Sequence, residues 1–165
     1  MCCPFHQNED DWWRYWGTWS KVLHLSATVD DPTSFVSGAN RILADMGLEG
    51  AFVSSDSVAG EEHLLVCALH ALRCRERGSA ITRSPGMETL LFVAGSRHVE
   101  KALATAGLQG GNEFWMIVFC PADVKKPTAE DVAAALGAEC LPKEWRTEGA
   151  AEGLERAALV EALSD

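Results

Sequence analysis

The spacing of apolar residues predicts alternating strands and helices along most of the chain. KVLHLSATV (21–29) and AFVSSDSV (51–58) are apolar, partly β-branched runs of the kind that form strands. EFWMIVFCP (113–121) is apolar at almost every position, so we expect it to be buried on both faces at the centre of the sheet. ECLP (139–142) predicts a short edge strand.

Helices are predicted between these strands from their capping residues and their closing glycines. Asp31-Pro32 is a start signal, and Thr128 with Asp131 forms a capping box. The predicted helices cover residues 32–46, 60–78, 84–95, 96–107 and 128–136, and a terminal amphipathic helix covers 149–165. This order of elements predicts an α/β (α+β) fold, with a small central β-sheet and helices packed on it in a single domain.

The first 20 residues are rich in tryptophan. Trp12, Trp16 and Trp19 would share one face of a helix, which could pack on the domain or on a partner. The alternative is a poorly ordered extension. The sequence is therefore divided into a Trp-rich N-terminal extension (1–20), a principal domain (21–140) and a C-terminal helical tail (141–165).

Composition places the chain among soluble globular proteins. Of its 165 residues, 47% are hydrophobic and 23% are charged. The apolar runs are shorter than the about 20 residues that cross a bilayer, and the acidic N-terminus lacks the basic start of a signal peptide. We expect a cytoplasmic protein, or a nuclear one in a eukaryote. Its six cysteines include no CxxC pair, so reduced thiols are expected.

Charge is distributed unevenly along the sequence. The chain carries a net charge of −10, which argues against broad nucleic-acid binding. Residues 1–62 carry −7 and residues 102–165 carry −6, whereas residues 63–101 carry +3. The basic side chains of this middle stretch are Arg73, Arg75, Arg77, Arg83, Arg97 and Lys101. The middle stretch is therefore an electropositive island in an acidic chain.

Four metal-binding residue types lie along the helix at 60–78. They are His63, Cys67, His70 and Cys74. At about 1.5 Å per residue, His63 and Cys74 are roughly 16 Å apart, and zinc accepts ligands at about 2.0–2.3 Å. At most one pair could therefore share an ion, with further ligands from elsewhere. Only Cys2, Cys3 and His6 are candidates for those ligands.

The same stripe admits a thiol nucleophile or a buried seam. Cys67 with a nearby histidine would be a nucleophile–base pair, although one helix supplies no third orienting group. Apolar residues fill the positions between the four, which favours a helix buried on most sides. The chain contains no GxSxG, HExxH, Gly-rich phosphate loop or GxGxxG after a strand. We therefore expect neither an enzyme nor a bound cofactor or metal, with a metal- or thiol-dependent enzyme as the alternative.

Residues 63–108 carry a pattern of their own. A His-led apolar helix is followed by a link with Thr82-Arg83, a Glu-led apolar helix (GMETLLF), and a short helix that ends in Gly107. A strong apolar strand comes next. This order resembles the kinase-binding accessory subunit of the KEOPS complex, the TPRKB-like family. The resemblance extends over roughly two thirds of the chain, from residue 21 to about residue 136.

The resemblance implies a non-catalytic subunit of a complex that makes threonylcarbamoyladenosine in tRNA. Such a subunit docks on a small atypical kinase/ATPase and helps to hold tRNA through its 3′ CCA end. We expect it to be a monomer on its own. The residues expected to contact RNA are Arg77, Arg83, Arg97, His98 and Lys101. The residues expected to contact the kinase are Leu69, Leu72, Glu88, Leu90 and Leu91, although periodicity cannot separate core from docking positions.

Overall fold

The chain forms one antiparallel sheet with helices on both of its faces. The computed structural model describes residues 5–7, 11–15 and 17–142. Their elements, in chain order, are β1 (Phe5–Gln7), β2 (Trp13–Tyr15), β3 (Thr18–Val29), α1 (Pro32–Asp45), β4 (Glu49–Ser54), α2 (Glu61–Arg77), α3 (Pro85–Ala94), α4 (Val99–Ala106), β5 (Gly111–Pro121), α5 (Ala129–Ala135) and β6 (Glu139–Cys140).

The order of strands in the sheet is β1-β2-β3-β5-β4, and every neighbouring pair is antiparallel. β6 pairs with Leu25 and Ser26 of β3, beyond the stretch of β3 that pairs with β2. β5 lies between β3 and β4, so the central position predicted for this strand is confirmed. The predicted fold class, a small sheet with helices packed on it, is confirmed as well.

Two hydrophobic cores explain why β5 is apolar throughout. Trp115, Ile117 and Phe119 face α2 and α3, whereas the alternate residues of β5 face α1 and α5. A strand that is covered on both faces has no position for a polar side chain. Seven successive residues of β5, from Phe114 to Cys120, are buried accordingly.

Most predicted helix ends are confirmed by their capping contacts. The Asp31 carboxylate accepts a hydrogen bond from the Ser34 backbone N–H at the start of α1. Gly78 closes α2 with φ of 76°, a left-handed conformation that favours glycine. Thr128 and Asp131 form the predicted capping box of α5.

Other predicted boundaries are corrected. The strand expected to reach residue 58 ends at Ser54, and a short 3-10 turn follows it. The helix expected to begin after Ser96 begins at Val99, because the Ser96 hydroxyl accepts from the His98 backbone N–H in a turn before the helix. The predicted helix at 149–165 lies outside the described residues.

The tryptophan-rich segment is neither a helix nor a separate extension in its described part. Residues 13–15 form β2, and Trp19 lies in β3, where it pairs with Arg14. Trp12 is buried in the core beside α1 and α5. The predicted boundary at residue 20 therefore cuts through a strand of the sheet.

Candidate functional site

A cleft of about 1000 Å³ opens at the β4 edge of the sheet, between α1 and α4. Its residues come from four segments that are distant in sequence. They are Pro32, Thr33, Val36, Ser37, Asn40 and Ala44 from α1; Leu48, Glu49, Gly50, Ala51 and Phe52 around β4; Ser84, Met87 and Leu90 around α3; and Leu103, Ala104, Gly107, Leu108 and Gln109 around α4. The volume lies at the upper end of the about 300–1,000 Å³ typical of ligand sites.

The cleft combines apolar walls with a few polar groups at its edges. Leu103 is 42% exposed and supplies apolar surface to the lining of the cleft. Glu49 and Gln109 are exposed polar residues of the same lining. A surface of this kind favours a largely apolar ligand that carries a few polar groups.

The floor of the cleft depends on a close approach between two glycines. A Cβ atom on Gly86 would lie 2.6 Å from the carbonyl oxygen of Gly50. Only glycine therefore allows the first turn of α3 to rest directly on the edge of β4. This contact places Ser84 and Met87 at the cleft.

Basic residues flank the cleft at two positions. Arg83 is exposed and immediately precedes Ser84, a lining residue. Lys101 is exposed and lies one helical turn before Ala104, another lining residue, on the same side of α4. A polyanion that enters the cleft would meet positive charge at both positions.

The electropositive island is divided into two groups by the fold. The Arg75 guanidinium Nη1 donates to the Arg83 carbonyl oxygen at 2.6 Å, so the end of α2 and the α2–α3 link lie together. Arg97 and His98 follow the far end of α3. Because α3 has ten residues, the two groups are separated by about 15 Å. The predicted RNA-binding residues are all exposed, but they form two patches rather than one.

Glu88 holds the link between α2 and α3 from inside the protein. Its carboxylate accepts hydrogen bonds from the backbone N–H groups of Ile81 and Thr82 at 3.0 and 2.8 Å, and from the Thr82 hydroxyl at 2.7 Å. Only 1% of the Glu88 surface is exposed. Its function in the described conformation is to fix the link that carries Arg83.

Four of the five residues predicted to contact the kinase are buried. The backbone turns Leu72, Glu88, Leu90 and Leu91 inward, and they can form no docking surface in this conformation. Leu69 alone is partly exposed, on the outer side of α2 with Val66 and Arg73. The correction has a physical cause: α2 packs on the sheet and α3 packs beside α2, so both apolar helices use their leucines as core.

The His/Cys stripe is a seam of the α2 core in which His63, Cys67 and Cys74 are buried and His70 is partly exposed. Cys67 and Cys74 belong to the hydrophobic cluster, and the His63 Nδ1 atom accepts from the Ala59 backbone N–H at 3.0 Å. The His70 ring stacks on Phe92 with centroids 5.4 Å apart. Among the described residues, no three His, Cys, Asp or Glu side chains converge to hold a metal ion.

The electrostatics of the stripe do not favour thiol or imidazole chemistry. Burial raises the pKa of the Cys67 thiol far above its usual range, which keeps it protonated. Burial, and then the charges of Arg73 and Arg77, lower the pKa of His70 to about 4. His70 is therefore neutral and weakly basic at pH 7, a poor general base.

Brief alkylation of the folded protein with N-ethylmaleimide should modify Cys140 and leave Cys67 intact. Cys140 is exposed on β6, whereas Cys67 is buried and protonated. Mass mapping of the peptides after short and long exposure measures both rates, and labelling in urea supplies the control for reagent access. Labelling of Cys67 at the rate of Cys140 would contradict the buried seam.

Sequence reasoning missed the cleft and its polar residues. Gln109 closes the C-terminal end of α4, because its Nε2 atom donates to the carbonyl oxygens of Leu103, Ala104 and Gly107 at 3.0–3.1 Å. Glu49 is the first residue of β4 and belongs to no local sequence motif. No pattern within either segment indicates a shared site, because the site forms only when the segments are assembled.

Comparisons with known proteins add no family assignment: neither the protein-family models nor the curated protein sequences contain a match to this chain. Within the described part of the chain, no helix combines the length and the apolar character needed to cross a membrane.

Proposed function

We propose that this chain is a non-catalytic subunit of a KEOPS-type tRNA threonylcarbamoylation complex. In this proposal it binds the 3′ CCA end of tRNA and docks on the small atypical kinase/ATPase subunit. The observation that carries the proposal is the cleft between α1 and α4 with Arg83 and Lys101 beside it. The resemblance of residues 63–108 to the TPRKB-like family supports the same function.

The chemistry of the cleft suits a single-stranded RNA end. Unpaired bases insert their faces between apolar side chains while lysine and arginine contact the phosphates. Leu103 and Met87 supply apolar surface in the cleft, and Arg83 and Lys101 beside it supply charge. His98, exposed just before α4, is in a position to stack on a further base. The acidic remainder of the chain disfavours binding to unrelated RNA.

Kinase docking is assigned to the outer side of α2. Val66, Leu69 and His70 are partly exposed there, and Arg73 follows one turn later. Helices present an apolar strip of this kind to partner grooves. We expect the subunit to be a monomer without its partners and to act in the cytoplasm.

Removal of the 3′ CCA from a tRNA should weaken its binding to the purified full chain by at least about tenfold, since a total loss of about 1.4 kcal/mol over the three bases is sufficient for that factor. Binding of the intact and truncated tRNAs is measured by fluorescence anisotropy at two salt concentrations. Affinity for intact tRNA should fall steeply with salt because phosphate contacts release counterions. Equal binding of both tRNAs, or binding of neither, would overturn the RNA-binding part of the proposal.

A further inference from the structure

The orientation of the Gln109 amide is fixed by its surroundings. Three carbonyl oxygens, those of Leu103, Ala104 and Gly107, lie 3.0–3.1 Å from one side-chain atom. Carbonyl oxygens only accept hydrogen bonds, so that atom is the amide nitrogen. The Oε1 oxygen, an acceptor, is therefore the atom of the amide that these three contacts do not use.

Glu49 adds a second acceptor to the same cleft. Its side chain is exposed at the first residue of β4 and lines the cleft with Gln109. An ionised carboxylate accepts hydrogen bonds and donates none. Both side chains thus offer oxygen atoms to whatever occupies the cleft.

We propose that Glu49 and Gln109 make the cleft prefer cytosine to uracil. This inference rests on the proposed function, since it concerns how the same cleft recognises an RNA end. Cytosine N4 and adenine N6 are donors, whereas uracil O4 and guanine O6 are acceptors at the corresponding positions. Every base of a CCA end therefore offers a donor to these oxygens. The cytosine N4 amino group carries two N–H donors and can serve both oxygens. Uracil has a single donor on that edge, N3–H, so at least one of the two acceptors would face a carbonyl oxygen and stay unsatisfied.

The test compares two tRNAs that are identical except for their 3′ ends, CCA and UUA. We expect the full chain to prefer CCA by about tenfold, the discrimination of a well-matched base contact. Glu49→Gln keeps the size of the side chain but replaces one acceptor with a donor that suits uracil O4. In this variant the preference should fall below about threefold. Glu130→Gln makes the same chemical change at an exposed residue of α5 outside the cleft, and it should keep the tenfold preference.

A second variant guards against local effects at Glu49. Gln109→Leu removes the acceptor while circular dichroism monitors the end of α4, and it should also reduce the preference. If the unaltered chain needs the 3′ end but binds CCA and UUA equally, the inference fails and the proposed function stands. If binding does not depend on the 3′ end, the proposed function fails and this inference fails with it. A preference that survives both variants would overturn the assignment to Glu49 and Gln109.

Discussion

Replacing Glu88 with alanine is expected to lower the free energy of unfolding by about 3 kcal/mol. The change removes three hydrogen bonds to a buried carboxylate and leaves the backbone N–H groups of Ile81 and Thr82 without an acceptor. Bonds to a charged group contribute more than neutral ones, and an unsatisfied buried donor adds its desolvation cost. Urea unfolding monitored by tryptophan fluorescence measures the difference.

Two control variants separate the hydrogen bonds of Glu88 from its position in the first turn of a helix. Glu100 is an exposed glutamate in the first turn of α4. Glu100→Ala should cost only the about 0.3–1 kcal/mol of a helix-dipole interaction. Glu88→Gln keeps an acceptor oxygen and nearly the same shape. Its loss in free energy of unfolding should therefore lie between those of Glu100→Ala and Glu88→Ala. Equal losses for Glu88→Ala and Glu100→Ala would show that Glu88 is a dipole partner and not a clamp on the link.

The same variant connects stability with the proposed site. Thr82 and Arg83 lie in the link that Glu88 fixes, and Arg75 reaches the same link from α2. Release of the Thr82 backbone would leave the position of Arg83 to depend on the Arg75 contact without the support of Glu88. We therefore expect Glu88→Ala to weaken tRNA binding as well, at temperatures where the variant remains folded.

The sheet and most helices could be predicted from local patterns, because burial determines which residue type is found at each position. In β5 each side chain meets a helix on one face or the other, so an unbroken apolar run was sufficient evidence. The helix ends were predictable for a similar reason. Thr128 and Asp131 satisfy backbone groups within their own turn, and no distant residue is needed.

The tryptophan segment shows where local patterns fail. Indoles at positions 12, 16 and 19 fit a helical spacing, yet strand pairing decides the outcome, because Arg14 pairs with Trp19 across a turn at Gly17. The leucines of α2 and α3 present the same difficulty. Periodicity shows that a face is apolar, but not whether it meets a partner or the chain's own sheet.

The site was the least predictable part of the molecule. Basic residues between positions 63 and 101 were recognisable as a group, but α3 separates them into two patches. Glu49 and Gln109 are 60 positions apart in sequence, and the cleft joins them only after β4 and α4 are assembled. Sequence patterns reflect constraints between residues that are close in sequence. A cleft formed by four distant segments leaves no such pattern.

Charge reversal at Arg83 is expected to weaken tRNA binding by about tenfold at low salt, with little effect on the free energy of unfolding. The Arg83 side chain is exposed, and its fold-determining contact is made by its carbonyl oxygen, which the substitution retains. Arg83→Glu removes one phosphate contact and adds a repelling charge beside the cleft. The dependence of binding on salt should become shallower by about one unit of slope.

A matched reversal at a residue that does not line the cleft distinguishes a local contact from net charge. Lys125→Glu makes the same change of charge in the exposed loop between β5 and α5, and it should alter tRNA affinity less than about threefold. Arg97→Glu probes the second basic patch. Because the two patches lie about 15 Å apart, the losses in Arg83→Glu and Arg97→Glu should add in the double variant. If Lys125→Glu loses as much tRNA affinity as Arg83→Glu, overall charge and not the cleft governs binding. The position of Arg83 beside the cleft would then not support the proposed site.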